Sequence, residues 1–139
     1  MDGAHVMTVT AATETMNISG TGTLTLGNIT ADAINSTMTS GTLNLGTMQQ
    51  ATNIQAGAEA LTVVGSGSAD IISGGAGADN INVGAGNDTV TLGAGADIYT
   101  KTAGANTEVN IITDFVVGTD TFDVNIALMP DDTTSIAAG

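Results

Sequence analysis

Polar and apolar positions recur along the middle of the chain with a period of nine residues. A glycine-rich run leads to an aspartate, and an apolar side chain follows two residues later. The four aspartate–apolar pairs are Asp70 with Ile72, Asp79 with Ile81, Asp88 with Val90, and Asp97 with Tyr99. Such a unit is typical of a tight turn followed by a very short strand. The pattern therefore predicts stacked turns and strands over 65–100.

Two earlier blocks alternate apolar residues with Thr or Asn, and this period of two predicts strands. The blocks are Gly22–Gly27 and Gly41–Gly46, nineteen residues apart. Their expected inward side chains are Leu24, Leu26, Leu43 and Leu45. The nine-residue register also extends back to Leu45, Ile54 and Val63. We interpret 7–64 as metal-poor solenoid coils of two strands each, which stack on the repeats.

The register is lost after Thr100. Asn106 takes the place of the aspartate, and Glu108 falls where an apolar residue is due. We therefore expect the repeat region to cover 65–108. A closing segment over 109–128 follows it, then a loose tail over 129–139, and a short segment over 1–6 precedes the coils.

Charge composition limits the partners of the chain. Fourteen acidic residues face a single base, Lys101, and the formal net charge is −13. Phosphate binding needs clustered Lys and Arg, so nucleic acid is not an expected partner. Carboxylates with so few cationic neighbours require a cation from solution, and calcium is the first candidate. The chain has no apolar stretch that approaches a membrane span of about 18 residues, and its first residues do not resemble a signal peptide.

The nine-residue unit resembles the calcium-binding nonapeptide of the RTX family, G-G-x-G-x-D-x-U-x with U a large apolar residue. The unit Gly74–Asn82 matches it fully, whereas Val83 and Leu92 replace the first glycine of the next two units. The first unit departs at Ser66 and Ser68. The Thr/Asn/Ala-rich part over 7–64 is similar to the coils of bacterial surface-layer proteins. The resemblance implies an all-β fold, a right-handed parallel β-solenoid (β-roll) with calcium-binding turns.

If each unit forms one turn and one strand, units two apart stack on the same side of the roll. One column then contains Asp70 and Asp88, and the other contains Asp79 and Asp97. Glycine permits positive φ and lets main-chain carbonyls converge, so that carboxylates and carbonyls together supply the six to eight oxygens of a calcium site. The glycines expected at these sites are Gly75, Gly77, Gly84, Gly86, Gly93 and Gly95.

The segment Ile112–Val124 resembles the segment that closes RTX rolls at their C-terminal side. This resemblance adds Asp114, Asp120 and Asp123 as further candidate calcium ligands. The alternative is that these three residues are solvated aspartates that form turns.

No catalytic motif is present: there is no G-x-S-x-G, no H-E-x-x-H and no Cys–His pair. We expect His5 and Lys101 to be surface residues rather than catalysts. Paired carboxylates can hydrolyse glycosides, but an aromatic content of 2% leaves little to stack on a sugar. We therefore expect that the chain is not an enzyme.

Two classes of function remain open. The first is a non-enzymatic, calcium-dependent structural protein of the bacterial exterior, a surface-layer or filament subunit or a fragment of one. It would bind calcium ions, further copies of itself through the solenoid ends, and, as a further candidate, a cell-surface polysaccharide. The second is an accessory C-terminal RTX module of a larger type I secreted enzyme, adhesin or toxin. Either function implies a secreted chain, extracellular or at the cell surface, that folds at external calcium levels of about 10⁻³ M.

Overall fold

The computed structural model describes residues 15–50, 52–101, 108–124 and 133–138. All regular structure within these ranges is β, without a helix, and the strands form a parallel β-solenoid of about five turns. The expected all-β, parallel solenoid is therefore confirmed. The strands are β1 (Thr15–Leu26), β2 (Ala33–Thr47), β3 (Asn53–Gln55), β4 (Ala60–Val64), β5 (Ile71–Ser73), β6 (Asn80–Asn82), β7 (Thr89–Thr91), β8 (Ile98–Lys101), β9 (Val109–Phe115), β10 (Thr121–Val124) and β11 (Thr133–Ala138).

Consecutive short strands lie on opposite sides of the roll. β3, β5, β7, β9 and β11 pair in that order along one side, and β4, β6, β8 and β10 pair along the other. Each side carries an inward row of aligned side chains. The rows are Ile54, Ile72, Val90 and Ile112 on the first side, and Val63, Ile81, Tyr99 and Phe122 on the second. Units two apart therefore stack, as the nine-residue period predicts.

The coil formed by β2 differs from the expected two strands. β2 is one continuous strand that pairs with β3 through Ala33–Asn35 and with β4 through Thr42–Thr47. β2 therefore pairs with strands on both sides of the roll. β1 runs beside β2, and a register shift after Gly20 changes the offset between their partners from eighteen to nineteen residues. Glycines with positive φ, such as Gly41 (φ 109°), allow the backbone to change direction without leaving the strand.

The core is a narrow stack of aliphatic side chains between the two sides. Leu24, Leu26, Leu43 and Leu45 are all buried, as the alternating pattern predicts. Thr and Asn side chains between them point outward and form rows along the surface. In one row the Asn44 side-chain amide donates to Thr25 Oγ1 at 3.4 Å.

The solenoid continues beyond residue 108. β9 pairs with β7 through Thr89 and Ile111, and β10 pairs with β8 through Ile98 and Thr121. β11 pairs with β9, so the loose tail expected for 129–139 is wrong over Thr133–Ala138. Asn106 lies outside the described residues.

Gly93 should tolerate substitution far less than Gly67. Gly93 has a φ of +98°, and a Cβ there would collide with the Gly75 carbonyl oxygen, whereas a Cβ on Gly67 would meet nothing within 4 Å. We expect Gly93→Ala to lower the free energy of unfolding by more than about 2 kcal/mol, because left-handed backbone alone costs a residue with a Cβ about 1–2 kcal/mol. Gly67→Ala should change it by less than about 1 kcal/mol. Urea unfolding in saturating calcium measures both, and equal effects would contradict the stacked-turn geometry.

Candidate metal centre

The glycine-rich turns stack along two edges of the roll. Turns 56–59, 74–79 and 92–97 form one edge, which we call the Asp79 edge, and turns 65–70 and 83–88 form the other, the Asp88 edge. Main-chain hydrogen bonds join successive turns of one edge. The N–H of Ala94 donates to Gly75 O at 2.9 Å, and the N–H of Ala85 donates to Ser66 O at 3.0 Å. The stacking therefore brings turns eighteen residues apart into direct contact.

The four repeat aspartates are buried in these turns, and each is at most 1% exposed. Each carboxylate accepts a hydrogen bond from the main-chain N–H of the residue eighteen positions earlier. The N–H of Asp70 donates to Asp88 Oδ1 at 2.9 Å, and the N–H of Asp79 donates to Asp97 Oδ1 at 2.8 Å. The structure thus brings together the two pairs that the sequence predicts, Asp70 with Asp88 and Asp79 with Asp97.

The second carboxylate oxygen distinguishes three of these aspartates. The Oδ2 atoms of Asp79, Asp88 and Asp97 are buried and have no hydrogen-bond partner among the described residues. Burying a charged oxygen without a partner is costly. In Asp70, by contrast, Oδ2 accepts hydrogen bonds from the N–H of Ser66 at 2.8 Å and from its Oγ at 3.0 Å. Ser66, one of the departures from the consensus, therefore gives Asp70 the partners that the other three aspartates lack.

The glycines of these turns allow close contact between main chains. Gly75, Gly84, Gly86, Gly93 and Gly95 all have positive φ. A Cβ on Gly95 would collide with the carbonyl oxygen of the remaining candidate, Gly77. Carbonyl oxygens of one turn therefore lie against the backbone of the next.

This set of donors fits calcium, a hard cation that prefers oxygen ligands. No group of three or more acidic, histidine or cysteine side chains that could hold a metal ion occurs among the described residues. Main-chain carbonyls would therefore have to complete the coordination of a bound ion. Calcium would supply positive charge to the unpartnered oxygens of Asp79, Asp88 and Asp97, and those carboxylates with the turn carbonyls would hold it.

Burial raises the pKa of each repeat aspartate. The pKa of Asp79 rises to about 7, chiefly by desolvation, and the negative charges of Asp97 and Glu59 add to the rise. The pKa of Asp88 rises to about 6, again chiefly by desolvation. Desolvation also raises the pKa values of Asp70 and Asp97. Without a cation, burial in these turns therefore disfavours the ionised form of each carboxyl group.

Two of the closing-segment aspartates join the Asp79 edge as acceptors of main-chain hydrogen bonds. Asp114 accepts from the N–H groups of Leu92 at 2.7 Å and Gly93 at 2.8 Å. Asp120 likewise accepts on both oxygens, with the N–H of Asp97 as one donor at 3.2 Å. Their role as calcium ligands stays a prediction. Asp123 is exposed on β10, and the structure does not bring it into either edge.

Lys101 is fully buried, so the expected surface position is wrong. Its Nζ lies 2.7 Å from Glu108 Oε2 and donates to Gly84 O at 2.8 Å. The Lys101 charge opposes the rise in the pKa of Asp88. Asn110 Oδ1 accepts from the N–H of Asp88 at 2.9 Å, which is the contact that an aspartate makes in the preceding turns. The single base of the chain is thus an internal cation at the C-terminal end of the Asp88 edge. His5 lies outside the described residues.

Sequence reasoning missed Glu59, Glu108 and Asn110 at these edges. Glu59 could have been found by extending the register eighteen residues back from Gly77. Glu108 and Asn110 follow residues 102–107, where the register is lost, and their positions depend on the changed offset between β7 and β9.

Comparison with known families agrees with this geometry. The family model of the RTX calcium-binding nonapeptide repeat matches residues 64–99 in four copies. Residues 64–99 are RTX calcium-binding repeats. RTX repeats bind calcium, and proteins that carry them are typically secreted by bacteria. No curated protein and no solved structure matches the chain.

The RTX turns contain buried carboxylates that need a cation, in a chain of net charge −13. Without the ion, burial and mutual repulsion of these charges oppose the folded turn, so we expect calcium binding and folding to be coupled. Within the described ranges no helix is long and apolar enough to cross a membrane.

Lowering the pH should raise the thermal stability of the calcium-free chain and lower that of the calcium-bound chain. The folded pKa of Asp79 is about 7 against 3.8 for the free side chain. Between about pH 4 and pH 7 the folded RTX turns therefore bind more protons than the unfolded chain does. The free energy of unfolding of the calcium-free chain consequently falls as the pH rises through that window. In calcium the direction reverses, because protons compete with the ion for the same oxygens. Thermal unfolding at about pH 5 and pH 7.5, in excess chelator and in saturating calcium, measures both effects. A shift in the same direction under both conditions would contradict the assignment.

Proposed function

We propose that the chain is a non-enzymatic, calcium-dependent structural protein of the bacterial exterior, a surface-layer or filament subunit. It leaves the cell by type I secretion, folds on calcium outside, and joins further copies through the ends of the solenoid. The observation that carries the proposal is that the described solenoid ends in open strand edges, β1 at one end and β10 and β11 at the other.

β1 supports contact with another chain at the N-terminal end. Among the described residues it pairs only with β2, so its outer edge presents free main-chain donors and acceptors over twelve residues. Proteins commonly protect such edges with charged side chains, proline or very short strands. Thr15–Leu26 contains neither a charge nor a proline. This edge is therefore suited to accept a further parallel strand.

The C-terminal end offers apolar surface beside its open edges. Phe122 stacks on Tyr99 with ring centroids 5.1 Å apart and an angle of 4° between the rings, and it remains 36% exposed. Val117 is 86% exposed. Because the two ends differ, contact between copies would be head to tail, and such contacts extend into filaments when they do not close.

Charge makes this assembly dependent on calcium. At −13, copies of the calcium-free chain repel one another. Calcium in the RTX turns reduces that charge and orders the strands whose edges would meet. Assembly should therefore begin only where calcium is abundant, which suits a protein that works outside the cell.

The disposition of the polar groups favours a structural role over catalysis. The repeat carboxylates belong to the turns, and Lys101 is held in its ion pair with Glu108. The outward rows of Thr and Asn provide a hydrogen-bonding surface that suits a cell-surface polysaccharide. An example is the Thr91 and Thr113 hydroxyls, which lie 2.9 Å apart.

Assembly should depend on the β1 edge. Thr25 and Thr62 are exposed and belong to one outward row through Asn44, but Thr25 is on β1 and Thr62 is on β4 within the roll. In millimolar calcium we expect the wild-type chain to form filaments or sheets that dissolve in chelator. Thr25→Lys should weaken this assembly by at least about tenfold in critical concentration, because a charge on an edge strand hinders pairing. The matched control Thr62→Lys should assemble nearly as the wild type does.

Analytical ultracentrifugation and electron microscopy of the three chains test this proposal. A folded, calcium-loaded wild-type chain that stays monomeric at high concentration would contradict it. That result would favour an accessory module of a larger type I secreted protein.

A further inference from the structure

Glu59 occupies a turn that precedes the RTX repeats on the Asp79 edge. The turn 56–59 joins β3 to β4, and the N–H of Ala76 donates to Gly57 O at 2.9 Å, so turn 74–79 stacks on it. Glu59 stands eighteen residues before Gly77 and outside the matched residues 64–99. A Cβ on Gly77 would collide with the carbonyl oxygen of Glu59. The backbone at Glu59 therefore lies directly against a glycine of the first turn that matches the consensus in full.

The Glu59 carboxylate is buried with only half of its hydrogen bonding satisfied. The side chain is 0% exposed, and Oε2 accepts from the N–H of Gly57 at 3.0 Å. Oε1 is buried and has no hydrogen-bond partner among the described residues. A carboxylate oxygen in such surroundings needs a donor or a cation.

Asp79 places a second unpartnered oxygen at the same turn. Its Oδ1 accepts from the N–H of Leu61 at 2.7 Å, which fixes the carboxylate beside the segment that contains Glu59. Its Oδ2 is buried without a partner, and repulsion from Glu59 contributes to the raised pKa of Asp79. The single base of the chain, Lys101, binds Gly84 O on the other edge. Within the described part of the chain, no side-chain cation is therefore available to these two carboxylates.

Asp70, the first aspartate of the Asp88 edge, shows how protein groups can satisfy such an oxygen. Asp70 Oδ2 accepts from the N–H and the hydroxyl of Ser66. The position equivalent to Ser66 in the Asp79 unit is Gly75, which has no hydroxyl to donate. The two edges thus begin differently: on one edge Ser66 satisfies the aspartate, whereas on the other Glu59 and Asp79 each keep a buried oxygen without a partner among the described residues.

We propose that Glu59 and Asp79 bind a calcium ion between turns 56–59 and 74–79, in a site that begins one turn before the RTX repeats. Glu59 Oε1 and Asp79 Oδ2 supply the charged ligands. A Cβ on Gly75 would collide with the Gly57 carbonyl oxygen, so main-chain oxygens also border this space. All of these donors are oxygens, which suits calcium rather than a softer metal. The inference rests on calcium binding by the repeats and is independent of assembly.

Calcium stoichiometry of the full chain tests the site. Glu59→Gln keeps the shape and the acceptor for the Gly57 N–H, but it removes the charge. The matched control is Asp32→Asn, which makes the same charge change at an exposed acid before the repeats. We expect native mass spectrometry and calorimetric titration to count one calcium ion fewer in Glu59→Gln than in the wild type. Asp32→Asn should bind the wild-type number.

Thermal unfolding provides a second readout that a purely structural role of Glu59 would not produce. In excess chelator, where we expect the RTX turns to be unfolded, Glu59→Gln should melt no lower than the wild type, because the charge of Glu59 is gone from the coils before residue 64. It should gain less than the wild type from calcium. The site would be overturned if Glu59→Gln bound as many calcium ions as the wild type. It would also be overturned if Glu59→Gln melted below the wild type both in chelator and in calcium, or failed to fold in calcium. A wild-type chain that binds no calcium at all would instead overturn the proposed function.

Discussion

The fold depends on carboxylates that are buried in stacked turns and only half satisfied by the protein. One oxygen of each repeat aspartate accepts a hydrogen bond from the main-chain N–H eighteen residues earlier, which holds successive coils in register. The other oxygen of Asp79, Asp88 and Asp97 is left without a partner among the described residues. The same side chain thus organises the stack and creates its need for a cation. Because few large side chains are available, the thin core cannot offset that need by burying more apolar surface.

At the ends of the two edges, different groups provide the partners of the buried carboxylates. Ser66 closes the start of the Asp88 edge with hydrogen bonds, and Lys101 with Glu108 closes its end with an internal ion pair. Asp114 and Asp120 extend the Asp79 edge with carboxylates whose oxygens already have main-chain donors. At three of these four ends the protein therefore supplies partners to the carboxylates, whereas at the start of the Asp79 edge Glu59 Oε1 has no partner among the described residues.

The repeat made much of this architecture predictable. A strict nine-residue period fixes which turns stack, so the aspartate pairs and the inward rows as far as Val90 and Tyr99 followed from spacing alone. What it did not predict lies where the period fails: the continuous β2, the strand β11 and the burial of Lys101. The long strand depends on glycines within an alternating pattern, and the Lys101 ion pair depends on a change of offset after the repeats. Neither has a local sequence signal of its own.

The central claim is that calcium completes the RTX turns and thereby folds them. Far-ultraviolet circular dichroism with amide hydrogen exchange, followed through a calcium titration of the full chain, tests it most directly. We expect β-structure and amide protection over 65–124 to appear together as calcium binds, while the coils before residue 64 keep part of their structure in chelator. Equal β-content and equal protection over 65–124 in excess chelator would contradict the claim.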